Sequence, residues 1–193
     1  MGIRTIGIIP PGDDGYGNDT TSFLHKLQQN LLKLGAFGFE NWNAEIKYEK
    51  TDSSLSAIIS FNDVMNKIVI HNDNILVGDS SFLPLLKDIG LSLPSIPVKL
   101  NIDGKMAQLG DFKIRYGVAL GKGERKVGIL IDIEYLPSVL LSISYEKLFE
   151  SICDLMHIKV SLLLPPVIPE PPTTFSFAHL GKLYIQLLFD ISL

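Results

Sequence analysis

The chain has one cysteine, Cys153, and one tryptophan, Trp42, among its 193 residues. A lone cysteine cannot close an internal disulfide, so stability has to come from a core, and a reducing compartment is expected. Long hydrophobic runs are also missing. The greasiest stretches, Leu136 to Tyr145 and Val160 to Ile168, are broken by serine or proline and fall short of the roughly 18 residues of a membrane helix. Before Pro10 and Pro11 there is one arginine and only a short apolar run, so no secretory leader is expected. Positive charge is not in excess: the formal charge is −4 and the pI is near 5.5. Direct nucleic-acid binding, which draws on displaced counterions, is therefore disfavoured.

Apolar residues, by contrast, are plentiful. They make up 46% of the chain against 20% charged residues, and the mean hydropathy is +0.26, far from the signature of disorder. A globule of this length hides about 70% of the surface its unfolded chain exposes. One compact, soluble, intracellular domain over residues 1–193 is expected, with some apolar surface left for a partner.

Ile3 to Ile9 reads as a strand and Gly12, Gly15 and Gly17 as a loop. Phe23, Leu24, Leu27, Leu31 and Leu34 recur at helical spacing, with Asp19 or Thr20 to cap the start and Gly35 to end it, predicting a helix over 20–34. Trp42, Ala44, Ile46 and Tyr48 alternate with polar residues, the period of a half-buried strand. Leu55 to Phe61, Lys67 to His71 and Ile75 to Val77 follow as antiparallel strands joined by short Asn/Asp-rich turns. Asp79 or Ser80 is expected to cap a short helix over 82–89. Val98 to Ile102 and Lys105 to Leu109 flank Asp103-Gly104, which predicts a tight hairpin there. Phe112 to Leu120 and Val127 to Leu136 are long strands. Helices are predicted over 145–157, with Leu148, Phe149, Ile152, Leu155 and Met156 on the apolar side, and over 177–192. Between them, 165–172 reads as a proline-rich connector. Strand follows strand without the βαβ rhythm, so the expected fold is α+β: an antiparallel β-barrel with flanking α-helices.

Few residues suggest chemistry. The glycines after the first strand are spaced in the reverse order of a dinucleotide fingerprint, and Asp13, Asp14 and Asp19 put negative charge where a phosphate would sit. Cys153 and His157 are four apart on one helix, but two residues do not make a zinc site, and a core cysteine with a helix-end histidine accounts for them. His25, His71 and His179 have no motif around them. No cofactor or metal is expected. Asp132 and Glu134, alternate residues of one strand, are the most suggestive carboxylates. Pairing Leu120 with Val127 sets Ile114 against Ile133 on one face and matches Arg115 with Asp132 and Lys113 with Glu134 on the other. The carboxylates are then expected to be exposed cross-strand partners worth about 0.2–1 kcal/mol per pair. Val64 and Met65, apolar residues in a connection otherwise marked by Asn62, Asp63 and Asn66, are candidate partner contacts.

The segment from Gly110 to Gly121, continuing through Val127-Gly-Ile-Leu-Ile-Asp-Ile-Glu-Tyr-Leu-Pro137, resembles the central signature of the Mediator complex subunit 20 family. The Met1-Gly2 start, the helix from Leu24 to Ala36 and the step Leu76 to Phe82 are similar in the same order. The resemblance implies a nuclear, non-enzymatic subunit of the Mediator head module with a β-barrel and flanking helices. It also implies pairing with subunit 18 and, through it, contact with subunit 8. Tunnel triphosphatases share that barrel shape, but their Glu-x-Glu-x-Lys motif is missing; Glu45-Ile-Lys-Tyr-Glu49 is the nearest approach. The alternative is a divergent metal-dependent phosphohydrolase using Glu45, Glu49, Asp132 and Glu134. It requires those side chains to converge inside the barrel.

Overall fold

The computed structural model describes residues 2–12, 19–51, 54–72, 74–90, 93–94, 97–136, 144–164 and 175–190. The proline-rich connector and Ile191 lie outside the described residues. Strand β1 (Ile3–Ile9) is followed by helix α1 (Thr20–Lys33), then β2 (Phe37–Lys50), β3 (Leu55–Phe61), β4 (Lys67–His71) and β5 (Asn74–Gly78). Helix α2 (Phe82–Asp88), β6 (Val98–Leu109), β7 (Phe112–Leu120) and β8 (Lys126–Tyr135) come next. The described chain closes with α3 (Tyr145–Leu155), the two-residue β9 (Leu162–Leu163) and α4 (Phe177–Asp190).

Local chemistry sets the helix ends. Asp19 accepts hydrogen bonds from the free amides of Thr21 and Ser22, both at 3.1 Å, satisfying donors that the first turn leaves open. At the other end Gly35 adopts a φ of +87°, and the amides of Gly35 and Ala36 donate back to Leu32 and Leu31, closing the helix as the sequence predicts. At α2 the cap position is Ser81, which makes no side-chain cap bond. Asp79 instead accepts from the Ser81 amide and hydroxyl. Leu155, expected on the apolar side of α3, is half exposed, while Cys153 and Tyr145 are buried in its place.

The nine strands of the described residues form one antiparallel sheet in the order β5-β4-β3-β2-β6-β7-β8-β1-β9. Laid flat, nine strands would span about 38 Å. Yet α4, about 21 Å long, touches β4 and β5 near one edge and β1 and β9 at the other. The sheet therefore curls around α4 into a half-barrel, flanked among the described residues by four α-helices, the α+β architecture expected. Gly181 of α4 sits so close to β4 and β5 that a Cβ there would come within 3.2 Å of both Ile68 and Ile75. Helices α1 and α3 cover the other face: α1 meets β7, and Asn30 donates to the Met156 carbonyl at the end of α3.

The strand register places Trp42, Ala44, Ile46 and Tyr48 of β2 beside the inward residues of β3 and β6, all four buried. One expected turn is absent. Val98–Leu109 is a single strand that runs through Asp103-Gly104, and the chain reverses at Gly110, where φ is +56°. Gly104 faces Gly117 on β7, and a Cβ on it would collide with the Tyr116 carbonyl. The glycine serves a close approach between two strands and not a hairpin. Between β7 and β8 the register holds from Phe112–Tyr135 to Ala119–Gly128, including Ile114–Ile133. It then slips, so that Leu120 pairs with Lys126 and not with Val127, a bulge next to the turn.

Candidate functional site

The half-barrel interior holds a buried ionic network. Arg115 of β7 lies opposite Asp132 of β8, as the register predicts, and Lys113 lies opposite Glu134. The expected exposure is wrong. Asp132 is 0% exposed, Arg115 2% and Glu134 5%, because these residues occupy the concave face beneath α4. Lys113 is not the ion-pair partner of Glu134 either. The Arg115 guanidinium donates to Glu134 at 3.0 Å, to Asp63 at 2.9 Å and to Asp132 at 3.4 Å.

Two members of the network come from far away in sequence. Arg4 of β1 stands opposite Glu134 in the ladder and forms a two-pronged pair with Asp132, one bond at 3.1 Å from Nε and a second, close one from Nη2. Its guanidinium also lies 5.6 Å from the centre of the Phe61 ring, a cation–π distance. Asp63, in the connection after β3, accepts from both Arg115 and the Trp42 indole, the latter at 3.1 Å. The Gly2 amide donates to Glu134 at 3.0 Å. Two guanidinium groups thus hold three carboxylates.

The electrostatics follow from that neutralisation. Burial by itself would raise the Asp63 pKa, but the charge and hydrogen bond of Arg115, with Arg4 and Trp42, outweigh it and hold the carboxyl below its ordinary value. Glu134 is likewise pushed up by burial and brought down further by Arg4, Arg115 and the Gly2 amide. Burial disfavours the Arg115 cation, yet Asp132, Asp63 and Glu134 together raise its pKa. Tyr184 of α4, fully buried with its ring 5.6 Å from Phe61, has a hydroxyl with no hydrogen-bond partner among the described residues. Burial and the Asp132 charge push its pKa up.

This arrangement does not assemble the four-carboxylate site of a metal-dependent hydrolase. Glu45 and Glu49 alternate with the inward residues of β2 and so project from the opposite face of the sheet to Asp132 and Glu134. The inward pair already spends its oxygens on arginine and the Gly2 amide. Among the described residues no group of three or more His, Cys, Asp or Glu is placed to hold a metal. Cys153 is buried in the core, and burial first, then the charges of Asp154 and Glu150, pushes its thiol up to about 12. A thiol held protonated in this way is not a nucleophile. His157 follows α3 with a φ of +57°.

The candidate contact residues are split. Val64 packs against the core, whereas Met65 is 91% exposed. Both line a groove of about 450 Å³ with Asp63, Lys67 and Ser80. Asp63 is drawn inward by Arg115, and Met65, two residues on, points out. The burial of the network was legible only through one hint: Arg4 is the single charge in the otherwise uncharged strand Ile3 to Ile9, and such a charge needs a counter-charge.

Fold and site together define an α+β half-barrel whose interior is closed by its own helix and its own ion pairs. The model of the Mediator subunit 20 family, described as the TATA-binding related factor of subunit 20 of the Mediator complex, matches residues 1–188. The chain belongs to this family, whose setting is transcription regulation. Among solved structures, PH1012 protein from Pyrococcus horikoshii OT3 is similar at 16% identity and a TM-score of 0.45, covering 83% of this chain and 94% of that one. A chain of the Schizosaccharomyces pombe Mediator head module is similar at 10% identity and a TM-score of 0.42, covering 83% and 96%. A search of curated proteins finds no match.

Proposed function

We propose that the chain is a non-enzymatic, nuclear subunit of the Mediator head module that supports RNA polymerase II transcription through protein–protein contacts. It pairs with subunit 18 and reaches subunit 8 and the rest of the module through it. Membership of the subunit 20 family over residues 1–188 carries this reading. The interior supports it: the face on which a barrel enzyme would place its metal-binding carboxylates is occupied by ion pairs and covered by α4.

Met65 is the leading contact, with Val64 beneath it as a packed support. An exposed methionine is a flexible apolar side chain suited to a partner's pocket. Ser80, which shares its groove, leads into α2, where Leu85 and, one turn on at the C-cap, Ile89 are 58% and 75% exposed. Exposed apolar side chains concentrated in one region mark interaction surfaces.

Coexpression of this chain with subunit 18, followed by size-exclusion chromatography at micromolar concentration, tests the reading. A stable pair buries roughly 1,200–2,000 Å² and should co-elute, and Met65→Lys should weaken it while leaving the circular dichroism spectrum intact. A chain that stays monomeric beside subunit 18, or that shows robust magnesium- or manganese-dependent phosphatase turnover, would overturn it.

A further inference from the structure

After α3 the chain turns back along the helix it has just left. The left-handed His157 closes the end of α3, its amide donating to Asp154 and that of Ile158 to Cys153, each at 3.0 Å. Residues 158–164 then run to β9, which pairs with β1 through Leu162 and Leu163. Gly7 of β1 allows this close passage, because a Cβ there would lie 2.6 Å from both the Ser161 carbonyl and a Val160 methyl group. A groove of about 570 Å³ lies between α3 and this segment, within the range of sites that bind ligands.

Resting on the reading of the chain as an interaction subunit, we propose that this groove docks a short segment of a partner protein carrying apolar side chains flanked by lysine or arginine. Its chemistry is two-sided. One wall is apolar: Val160, Leu162 and Leu164 are half-buried, with Ile158 and Cys153 buried behind them. The other wall is acidic, since α3 presents Glu146, Glu150 and Asp154 at successive turns of one face, all exposed.

Charge selects the occupant. Like charges one turn apart repel, and none of these three carboxylates forms an ion pair among the described residues. Among the described residues Lys159 is the one base in the lining. The flanking segments 137–143 and 165–174 contain no lysine or arginine, and the second carries Glu170, so those two segments add no counter-charge to that of Lys159. A basic, apolar segment satisfies both walls, and complementary charge would also steer its approach.

The test uses the full chain, isotope-labelled for NMR, titrated with a short amphipathic leucine–lysine peptide and with its leucine–glutamate counterpart. The lysine peptide should shift resonances within 146–164, the glutamate peptide should not, and binding should weaken as salt rises. Glu150→Lys with Asp154→Lys should lower affinity at least about tenfold. The control pair Glu45→Lys with Glu124→Lys changes net charge equally and should leave binding unaltered. Circular dichroism verifies that both variants are folded. No binding, equal binding of the two peptides, or equal loss in both charge variants would overturn the proposal. So would self-association that Glu150→Lys abolishes, because the occupant would then be a second copy, whose Lys122–Lys126 turn is the nearest basic candidate. Coexpression of the groove variant with subunit 18 separates the two readings: a heterodimer that persists while peptide binding is lost supports both. Failure of the unmodified chain to pair with subunit 18 overturns only the earlier one.

Discussion

Arg115 and Asp132 stand directly opposite each other on β7 and β8, yet the guanidinium lies closer to Asp63, at 2.7 Å, than to Asp132, at 3.4 Å. A cross-strand pair has become the hub of a network that ties the middle of the sheet to the connection after β3. Buried ion pairs are costly to desolvate and serve stability only when all members are present.

Removal of the hub should therefore be severe. Arg115→Ala is expected to cost about 3–5 kcal/mol in urea denaturation, because three buried carboxylates would be left with Arg4 alone. The half-buried Lys113, replaced by alanine, should cost less than about 1 kcal/mol. A loss below 1 kcal/mol for Arg115→Ala would mean that water reaches the network.

The same network predicts a loss of stability in acid. Asp63 and Glu134 have folded pKa values below their ordinary ones, so the unfolded chain binds their protons first as pH falls. Their contribution is fully present above the unfolded value of about 4 and is lost as pH drops through the lower folded values. Burial and then the Lys182 charge lower the His179 pKa, so urea midpoints should decline slightly below about pH 6.5 and fall steeply below about pH 4. Glu134→Gln should flatten that fall.

Alkali should destabilise as well, through groups that the folded chain keeps protonated. Burial pushes both the Cys153 thiol and the Tyr116 phenol up to about 12. Above their unfolded values, about 8.5 and 10, the unfolded chain releases protons that the folded chain keeps, so stability declines as pH rises towards 12. In the native protein Cys153 should react with a thiol reagent at pH 8 far more slowly than after denaturation. Equal rates would show that the α3 packing is open.

At the β6–β7 crossing, Gly104→Ala should destabilise by about 1–3 kcal/mol or more, because the new methyl meets the backbone of Tyr116. Thermal unfolding measures this directly. An unchanged melting temperature would show that the two strands can separate at that point without loss.

Much of the fold was legible because its signals are local. The inward alternation from Trp42 to Tyr48, the cap at Asp19 and the pairing of Ile114 with Ile133 each depend on neighbours a few residues apart or on two adjacent strands. Where the reading failed, it lacked a third partner. Asp103-Gly104 has the composition of a turn, and only the presence of Gly117 across the ladder shows that its glycine makes room for a backbone.

The ionic network illustrates the division most clearly. Periodicity and cross-strand matching in the sequence determined which residues of β7 and β8 face each other, since slipping by one would mix charged and apolar faces. Whether that face was wet or dry was decided only in three dimensions. Arg4 arrives from 128 residues away in sequence and Asp63 from 52, and α4 covers them after the sheet has curled. Burial is a property of what closes over a face, and no local spacing encodes it. The same charges that would have been weak partners in water became, beneath a helix, the interior of the half-barrel.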